Sequence, residues 1–181
     1  MSLRELTQTK HDEIEAMPFT QYMLSGKISN EDYAKFLYQM MHLYQAMEEV
    51  ASNLNILDDM PDLPRYYFIK HDYEELVGEN IKHILLPATK EYCDYVREIK
   101  EPKKILAHMY VRYLGDMAGG QMIKKLVPGS GSFYDFKNLR EMVMKFRTKL
   151  SDDMLDDSIM AFNFNIAITR QLEETRIFSW I

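Results

Sequence analysis

The segment YVRYLGDMAGGQMIKK, residues 110–125, sets the carboxylate of Asp116 among three glycines, Gly115, Gly119 and Gly120. Its neighbours are helix formers and its apolar positions follow a helical period. An interior glycine disfavours a helix by about 0.8–1.0 kcal/mol relative to alanine, so the three together cost roughly 2.5–3 kcal/mol. Gly115 and Gly119 are spaced i, i+4 and share one face, leaving bare backbone where side chains would otherwise stand. Such a groove admits a flat ligand closely, with an acid one step round from the bare face. Arg112, four residues before Asp116, is placed to support it. The alternative reading is a helix break at Gly119 and Gly120, with the glycines letting another helix pack close. A second polar group lies in Phe162, Asn163, Phe164 and Asn165. Asparagines amid an apolar stripe carry amides that need partners if buried.

The elements that must hold these residues read as all-α. Ser2 and Glu5 form an S-x-x-E capping box ahead of a first helix, and Pro18 and Gly26 mark breaks soon after. Ser29 reads as the cap of a long helix whose apolar positions Tyr33, Phe36, Leu37, Met40, Met41, Tyr44, Met47, Val50 and Leu54 keep a helical period. Residues 58–64 end it, and a further helix is expected over roughly 63–76. Asn80 begins another, which Pro87 either starts or kinks before Val96 and Ile99. Pro102 suits the first turn of the glycine-bearing helix. VPGSGS, residues 127–132, is the clearest loop. A helix near 135–150 follows, then a last one capped by Ser151 with Asp152 and Asp153 in its first turn. No strand-like alternation, internal repeat or domain linker competes with this pattern.

Composition narrows the function. A chain of 181 residues suits one domain over residues 1–181, with a sizeable core. Its net charge of −6 argues against nonspecific nucleic-acid binding. The single cysteine, Cys93, can neither close an internal disulfide nor share a zinc site with another cysteine, which leaves packing. No apolar run approaches a membrane span and the N-terminus lacks a secretory pattern, so a soluble cytoplasmic protein is expected. The fourteen methionines and many aromatics, at helical spacing, read as ordinary core.

With its flank, KILAHMYVRYLGDMAGGQMIKK, residues 104–125, closely resembles the distal-helix signature of the haem oxygenase family, in which that helix lies over the haem face where oxygen binds. The segment LRELTQTKHDEIEAMPFTQYMLSG, residues 3–26, resembles the family's proximal helix, where a basic residue stands seven positions before a histidine and a glutamate four after it. Here these are Arg4, His11 and Glu15. The resemblance implies that His11 ligates the iron, that Glu15 receives the proton of the ring nitrogen facing away from it, and that Arg4 pairs with a haem propionate. The i, i+4 spacing puts Glu15 on the face of His11, as that role requires. A lone histidine on an amphipathic helix is usually a solvated surface residue; the joint occurrence of Arg4, His11, Glu15 and the glycine helix carries the assignment.

The resemblance further implies that Tyr110 lies near a propionate, that Tyr44 and Asn165 join the distal network of Asp116, and that Phe162, in the Ala161-Phe162-x-x-Asn165 segment, borders the haem. Arg147 matches a second propionate-binding arginine. Two positions depart from the family pattern: Val143 stands where a lysine is common, and Thr169 where a pocket phenylalanine is expected. Arg140 or Lys145 is a candidate to compensate from a shifted register.

The expectation is therefore an enzyme of the haem-oxygenase-like helical fold, with haem b as both cofactor and substrate between proximal and distal helices. It would use O2 and external electrons to give biliverdin, carbon monoxide and ferrous iron. An acidic ferredoxin is the expected donor, docking on a basic patch of Lys10, Lys124 and Lys125. The lack of an apolar anchor after Trp180 and Ile181 suggests a soluble bacterial, cyanobacterial, plastid or viral type, without nucleic-acid or membrane partners. Two alternatives are a non-catalytic haem-storage or haem-sensing protein of the same fold, and a helical di-iron oxidase using His71 and Asp72 or Glu48 and Glu49. The second lacks any Glu-x-x-His pair.

Overall fold

Helices start where the sequence supplies caps. In the computed structural model, which describes residues 2–78 and 81–178, the Ser2 hydroxyl accepts from the Glu5 N–H at 3.4 Å. The Glu5 carboxylate accepts from the Ser2 N–H at 2.6 Å in return. This reciprocal box opens α1 (Leu3–Glu15). Pro18 occupies the first turn of the short α2 (Pro18–Leu24), and Gly26 then takes φ +71° to turn the chain. The Ser29 hydroxyl accepts from the Asp32 N–H at 3.1 Å and opens α3 (Asn30–Asn53).

The central element is α3. Its Tyr33, Phe36, Leu37, Met40, Tyr44, Met47 and Val50 are buried, while Met41 and Leu54 are half-buried. It packs against α4 (Tyr66–Leu76) and α5 (Pro87–Arg97). The fourth helix begins three residues later than its apolar pattern suggests, because its cap comes from elsewhere. The Glu48 carboxylate of α3 accepts from the N–H of Arg65 and, at 3.2 Å, from that of Tyr66. Pro87 starts α5, and the expected start at Asn80 lies outside the described residues.

The glycine-bearing helix is one rod in three parts: α6 (Pro102–Met109), a π-helical turn (Tyr110–Leu114) and α7 (Gly115–Ile123). Nothing in the periodicity announces the π turn. The 127–132 loop turns through left-handed Gly129 and Gly131 into a 3-10 turn (Ser132–Tyr134). Next, α8 (Leu139–Arg147) is shorter than the expected 135–150, because Asp135 leaves the helical region and Asn138 is left-handed at φ +49°. Ser151 does not cap a backbone N–H; its hydroxyl donates to Asp153, and a 3-10 turn (Asp152–Met154) precedes α9 (Leu155–Phe178). That last helix packs on α1, α2, α5 and α6, closing the bundle. The described residues contain no strand, and none of their helices is long and apolar enough to cross a membrane. Cys93 is buried, and burial pushes its thiol up to about 11, in keeping with packing.

One buried pair ties α5 to α6. Tyr92 and His108 are both fully buried, with the Tyr92 hydroxyl 2.7 Å from His108 Nδ1 and Phe164 of α9 stacked on Tyr92 at 4.4 Å. Burial pushes the His108 imidazole down to about 4, so the folded protein keeps it neutral. An unfolded chain would protonate it near 6.5, and stability should therefore fall as pH drops from about 6.5 to 4, by ~3 kcal/mol at most. Urea unfolding across that range should show this acid limb in the wild type and a flatter one in His108→Gln.

Candidate active site

A cavity of about 650 Å³ opens between α1, the glycine-bearing helix, α8 and α9. One wall is α1, which presents His11 and Arg4. The opposite wall is the stripe Val111, Leu114, Gly115 and Ala118. A Cβ added at Gly115 would meet nothing within 4 Å, so bare backbone does line the space there. Gly119 lies beside the stripe, with only Ile123 of its own helix within 4 Å of such an atom. Gly120 serves a different purpose. A Cβ there would stand 2.6 Å from Tyr134 Cδ1, so this glycine lets an aromatic ring approach from the protein side. The helix does not break at Gly119 or Gly120, since α7 runs through both; of the alternative reading only the close approach holds, and it is made by the 3-10 turn at Tyr134 rather than by another helix.

Behind the stripe lies a buried polar network. Asp116, 7% exposed, accepts a hydrogen bond from the Tyr44 hydroxyl. Arg112 donates through Nε to the Tyr44 oxygen at 3.3 Å, through Nη1 to Asn165 Oδ1 at 3.3 Å and through Nη2 to the Met40 sulfur at 3.0 Å. Asn165 completes its bonding by donating to the Ala161 carbonyl at 2.8 Å. Arg112 and Asp116 make no direct ion pair among the described residues; Tyr44 bridges them. Burial pushes the Asp116 carboxyl up from the ordinary carboxylate range, offset only in part by Arg112 and the Tyr44 hydroxyl. For Arg112, burial works against the charge, but the Tyr44 oxygen and Asp116 carboxylate outweigh it and hold the guanidinium charged.

On the opposite wall, His11 Nδ1 is turned toward the carboxylates of Glu15 at 3.6 Å and Asp12 at 3.8 Å, beyond hydrogen-bond length. Nε2 is thus the nitrogen left for a ligand. Thr7, one turn before His11, meets the Tyr110 hydroxyl at 3.0 Å and joins the two walls. Tyr110 and Phe162 line the cavity, as do Arg147 and Val143 of α8, whereas Arg140, Lys145 and Thr169 do not. The Thr169 hydroxyl donates to the Asn165 carbonyl at 2.8 Å instead, and Lys145 lies 4.0 Å from Asp59. The guanidinium groups of Arg4 and Arg147 are exposed and carry no hydrogen bond or ion pair among the described residues. Two of the three lysines proposed for a basic patch are paired, Lys10 with Glu13 and Lys124 with Asp135.

Several residues of this site are not legible in the sequence. Met40, an apolar residue in an apolar stripe, is an acceptor for Arg112. The Tyr113 hydroxyl donates to Glu48 at 2.8 Å while its ring lies 4.9 Å from that of Tyr44. Of the residues weighed as di-iron ligands, Glu48 caps α4 and Asp72 accepts from the N–H groups of Ser132 and Phe133 at 2.9 and 2.8 Å.

The family model described as haem oxygenase matches residues 1–171. The haem oxygenase of Guillardia theta is 31% identical over 100% of this chain and 90% of its own length. Haem oxygenase 1 of Synechocystis sp. is 29% identical over 94% of this chain and 83% of that protein. Among solved structures, haem oxygenase-1 from Synechocystis in complex with haem superposes with a TM-score of 0.86 at 25% identity, covering 98% of this chain and 93% of that one. The haem oxygenase of Leptospira interrogans superposes with a TM-score of 0.83 at 29% identity, covering 94% and 100%.

The glycines should separate in a stability measurement on the ligand-free protein. Gly115→Ala meets open space and should stabilise the helix by up to ~1 kcal/mol. Gly120→Ala drives a methyl into Tyr134 and should destabilise by about 1–3 kcal/mol. Urea midpoints moving in opposite directions would bear this out.

Proposed function

The chain belongs to the haem oxygenase family, and from that premise we propose that it binds haem b in the cavity between α1 and the glycine-bearing helix and cleaves it. The observation that carries the reading is that His11 of α1 and the side-chain-free backbone of Gly115 line one cavity. A flat macrocycle needs both an axial nitrogen and a wall it can lie against. The remaining lining fits the same ligand: apolar Leu114, Phe162 and Val143 suit a porphyrin face, and the unpaired guanidiniums of Arg4 and Arg147 suit its two carboxylates. Val143 removes a cation that relatives commonly supply, which leaves Arg147 as the α8 contribution.

When bound, haem supplies the iron at which O2 is activated and is itself the molecule cleaved, to biliverdin, carbon monoxide and ferrous iron, with electrons from an external donor of the ferredoxin class. The chain's own part is positioning and proton supply. His11 would hold the ligand through Nε2, and Glu15, 3.6 Å from Nδ1, would fix the tautomer once the two move within bonding distance. Neutral imidazole, unlike a thiolate, gives little push toward O–O cleavage. Bare backbone at Gly115 would let the distal helix lie close against the macrocycle, with Gly119 keeping the neighbouring position free of a side chain. Asp116, its carboxyl raised by burial, would hold and pass a proton through ordered water at Oδ1, the oxygen not engaged by the Tyr44 hydroxyl. Arg112, Tyr44 and Asn165 keep that carboxylate in place.

An optical titration with one equivalent of haemin, followed by ferredoxin, its reductase and NADPH in air, tests this reading. A histidine-ligated Soret band that decays into the broad red absorbance of biliverdin is the expected result. The histidine signature should be lost in His11→Ala. Asp116→Asn should bind haem as the wild type does but form biliverdin at least about tenfold more slowly, since a positioned acid contributes 10²–10⁴-fold. Haem that binds and persists under a working electron supply would move the protein to storage or sensing.

A further inference from the structure

Two buried, oppositely charged side chains on one helix lie outside both the cavity lining and the Arg112–Tyr44–Asp116 network. Arg65 at the start of α4 is 2% exposed and Asp72, seven residues on, is 0% exposed. Seven residues are about two turns, so both point to the same side. They hold opposite ends of one short segment. Asp72 accepts from the Ser132 N–H at 2.9 Å, the Phe133 N–H at 2.8 Å, the Ser130 hydroxyl at 3.1 Å and the Ser132 hydroxyl. Arg65 donates to the Asp135 carbonyl at 2.7 Å, with its guanidinium 4.3 Å from the Phe136 ring centroid. A buried charge is tolerated only when its bonding is satisfied, and here each charge is satisfied largely by backbone.

Between these two holds stand Phe133 and Tyr134, stacked at 4.5 Å. Phe133 meets the Tyr44 ring edge-on at 5.3 Å. Tyr134 occupies the space that a Cβ at Gly120 would need, and its carbonyl accepts from the Gln121 side chain at 2.9 Å. The same 3-10 turn therefore presses from behind on both partners of the Tyr44–Asp116 bond: on Tyr44 directly, and on α7, which carries Asp116. Close-packed aromatic surfaces do not yield gradually, so a turn fixed by Asp72 fixes the seat of α7.

We propose that Asp72 is a positioning residue for the distal helix: by holding the 132–134 turn it sets how close α7 and Asp116 stand to the cavity, without touching the cavity or its ligand. The functional part of this proposal rests on the haem reading of the site.

Asp72→Asn keeps one acceptor oxygen but sets an amide donor against the Phe133 N–H. Phe133→Leu removes the ring against Tyr44 and leaves the hold of Asp72 intact. Both are to be compared with Ser29→Ala, which removes a cap far from α7 and serves as a control for general destabilisation. Hydrogen exchange in the ligand-free proteins should show amides of α7 opening about tenfold faster in both test variants, with α5 and α9 unchanged. In the haem-loaded, reduced proteins the C–O stretch of bound carbon monoxide should shift, while the haem dissociation constant stays within about twofold of wild type, because His11, Arg4 and Arg147 lie on α1 and α8. A folded variant with unchanged α7 exchange, or one whose exchange rises evenly over all helices as in Ser29→Ala, would overturn the proposal. Should Asp72→Asn fail to fold, Ser132→Ala, which removes a hydroxyl that donates to Asp72 and leaves the carboxylate in place, decides instead by the same rise in α7 exchange. If wild-type protein fails to take up haemin, the haem reading falls, and the exchange arm still decides the role of Asp72.

Discussion

Asp116 is a carboxylate inside a protein, at the start of a helix that has given up side chains to make room for something else. Leaving it there alone would cost several kcal/mol, and leaving Arg112 there alone would cost as much. Spaced i, i+4, the two would pair directly on a regular helix. They do not, because Arg112 lies in a π turn and reaches out to Tyr44, Asn165 and Met40. The Tyr44 hydroxyl then serves both, accepting from one and donating to the other. This places α3, the π turn and α9 in one bonded unit, so the central helix cannot shift without breaking the pairing of a buried charge.

The glycines solve a different part of the same problem. A helix squeezed between a flat ligand and the core must be thin on two sides, and a single glycine thins only one. Gly115 is bare toward the cavity, while Gly120, five residues on, is bare toward Tyr134. With both, the rod between them carries its charge in the narrow space left, between Tyr44 behind and the cavity in front. The helix is intrinsically weak for that reason, and its stability is borrowed from packing, as tertiary contacts commonly override propensity.

How much of this can be read from the sequence follows the range of the interaction. The Ser2–Glu5 box, the Ser29 cap, the proline starts of α5 and α6 and the buried stripe of α3 depend on residues within a few positions of one another, and all are present. The start of α4 is not legible, because its cap, Glu48, lies on another helix. The late start of α8 has a similar cause, since the Asp135 carbonyl is drawn to Arg65 across the fold. Resemblance to a family supplied Tyr44 and Asn165, whose partners are 72 and 53 residues away from them in the chain. No local pattern could have paired them. It supplied no hint of Asp72, because a buried aspartate bonded to backbone looks, in sequence, like any polar residue on an amphipathic helix.

Charge at the cavity mouth completes the argument. The chain is acidic overall, at −6, and most of its cations near acids are paired: Lys10, Lys35, Lys90, Lys103, Lys124 and Lys149 each lie within ion-pair reach of a carboxylate. Arg4 and Arg147 are exceptions, and both border the cavity. In an acidic protein, two arginines held apart from the available carboxylates give the mouth a local positive potential that a ligand with two carboxylates would neutralise on entry. The N-terminus of α1 also borders the opening, but its positive dipole end is already met by the Glu5 carboxylate, 2.6 Å from the Ser2 N–H. With Lys10 and Lys124 already compensated, Lys125 is the member of the expected basic patch that keeps an uncompensated charge among the described residues.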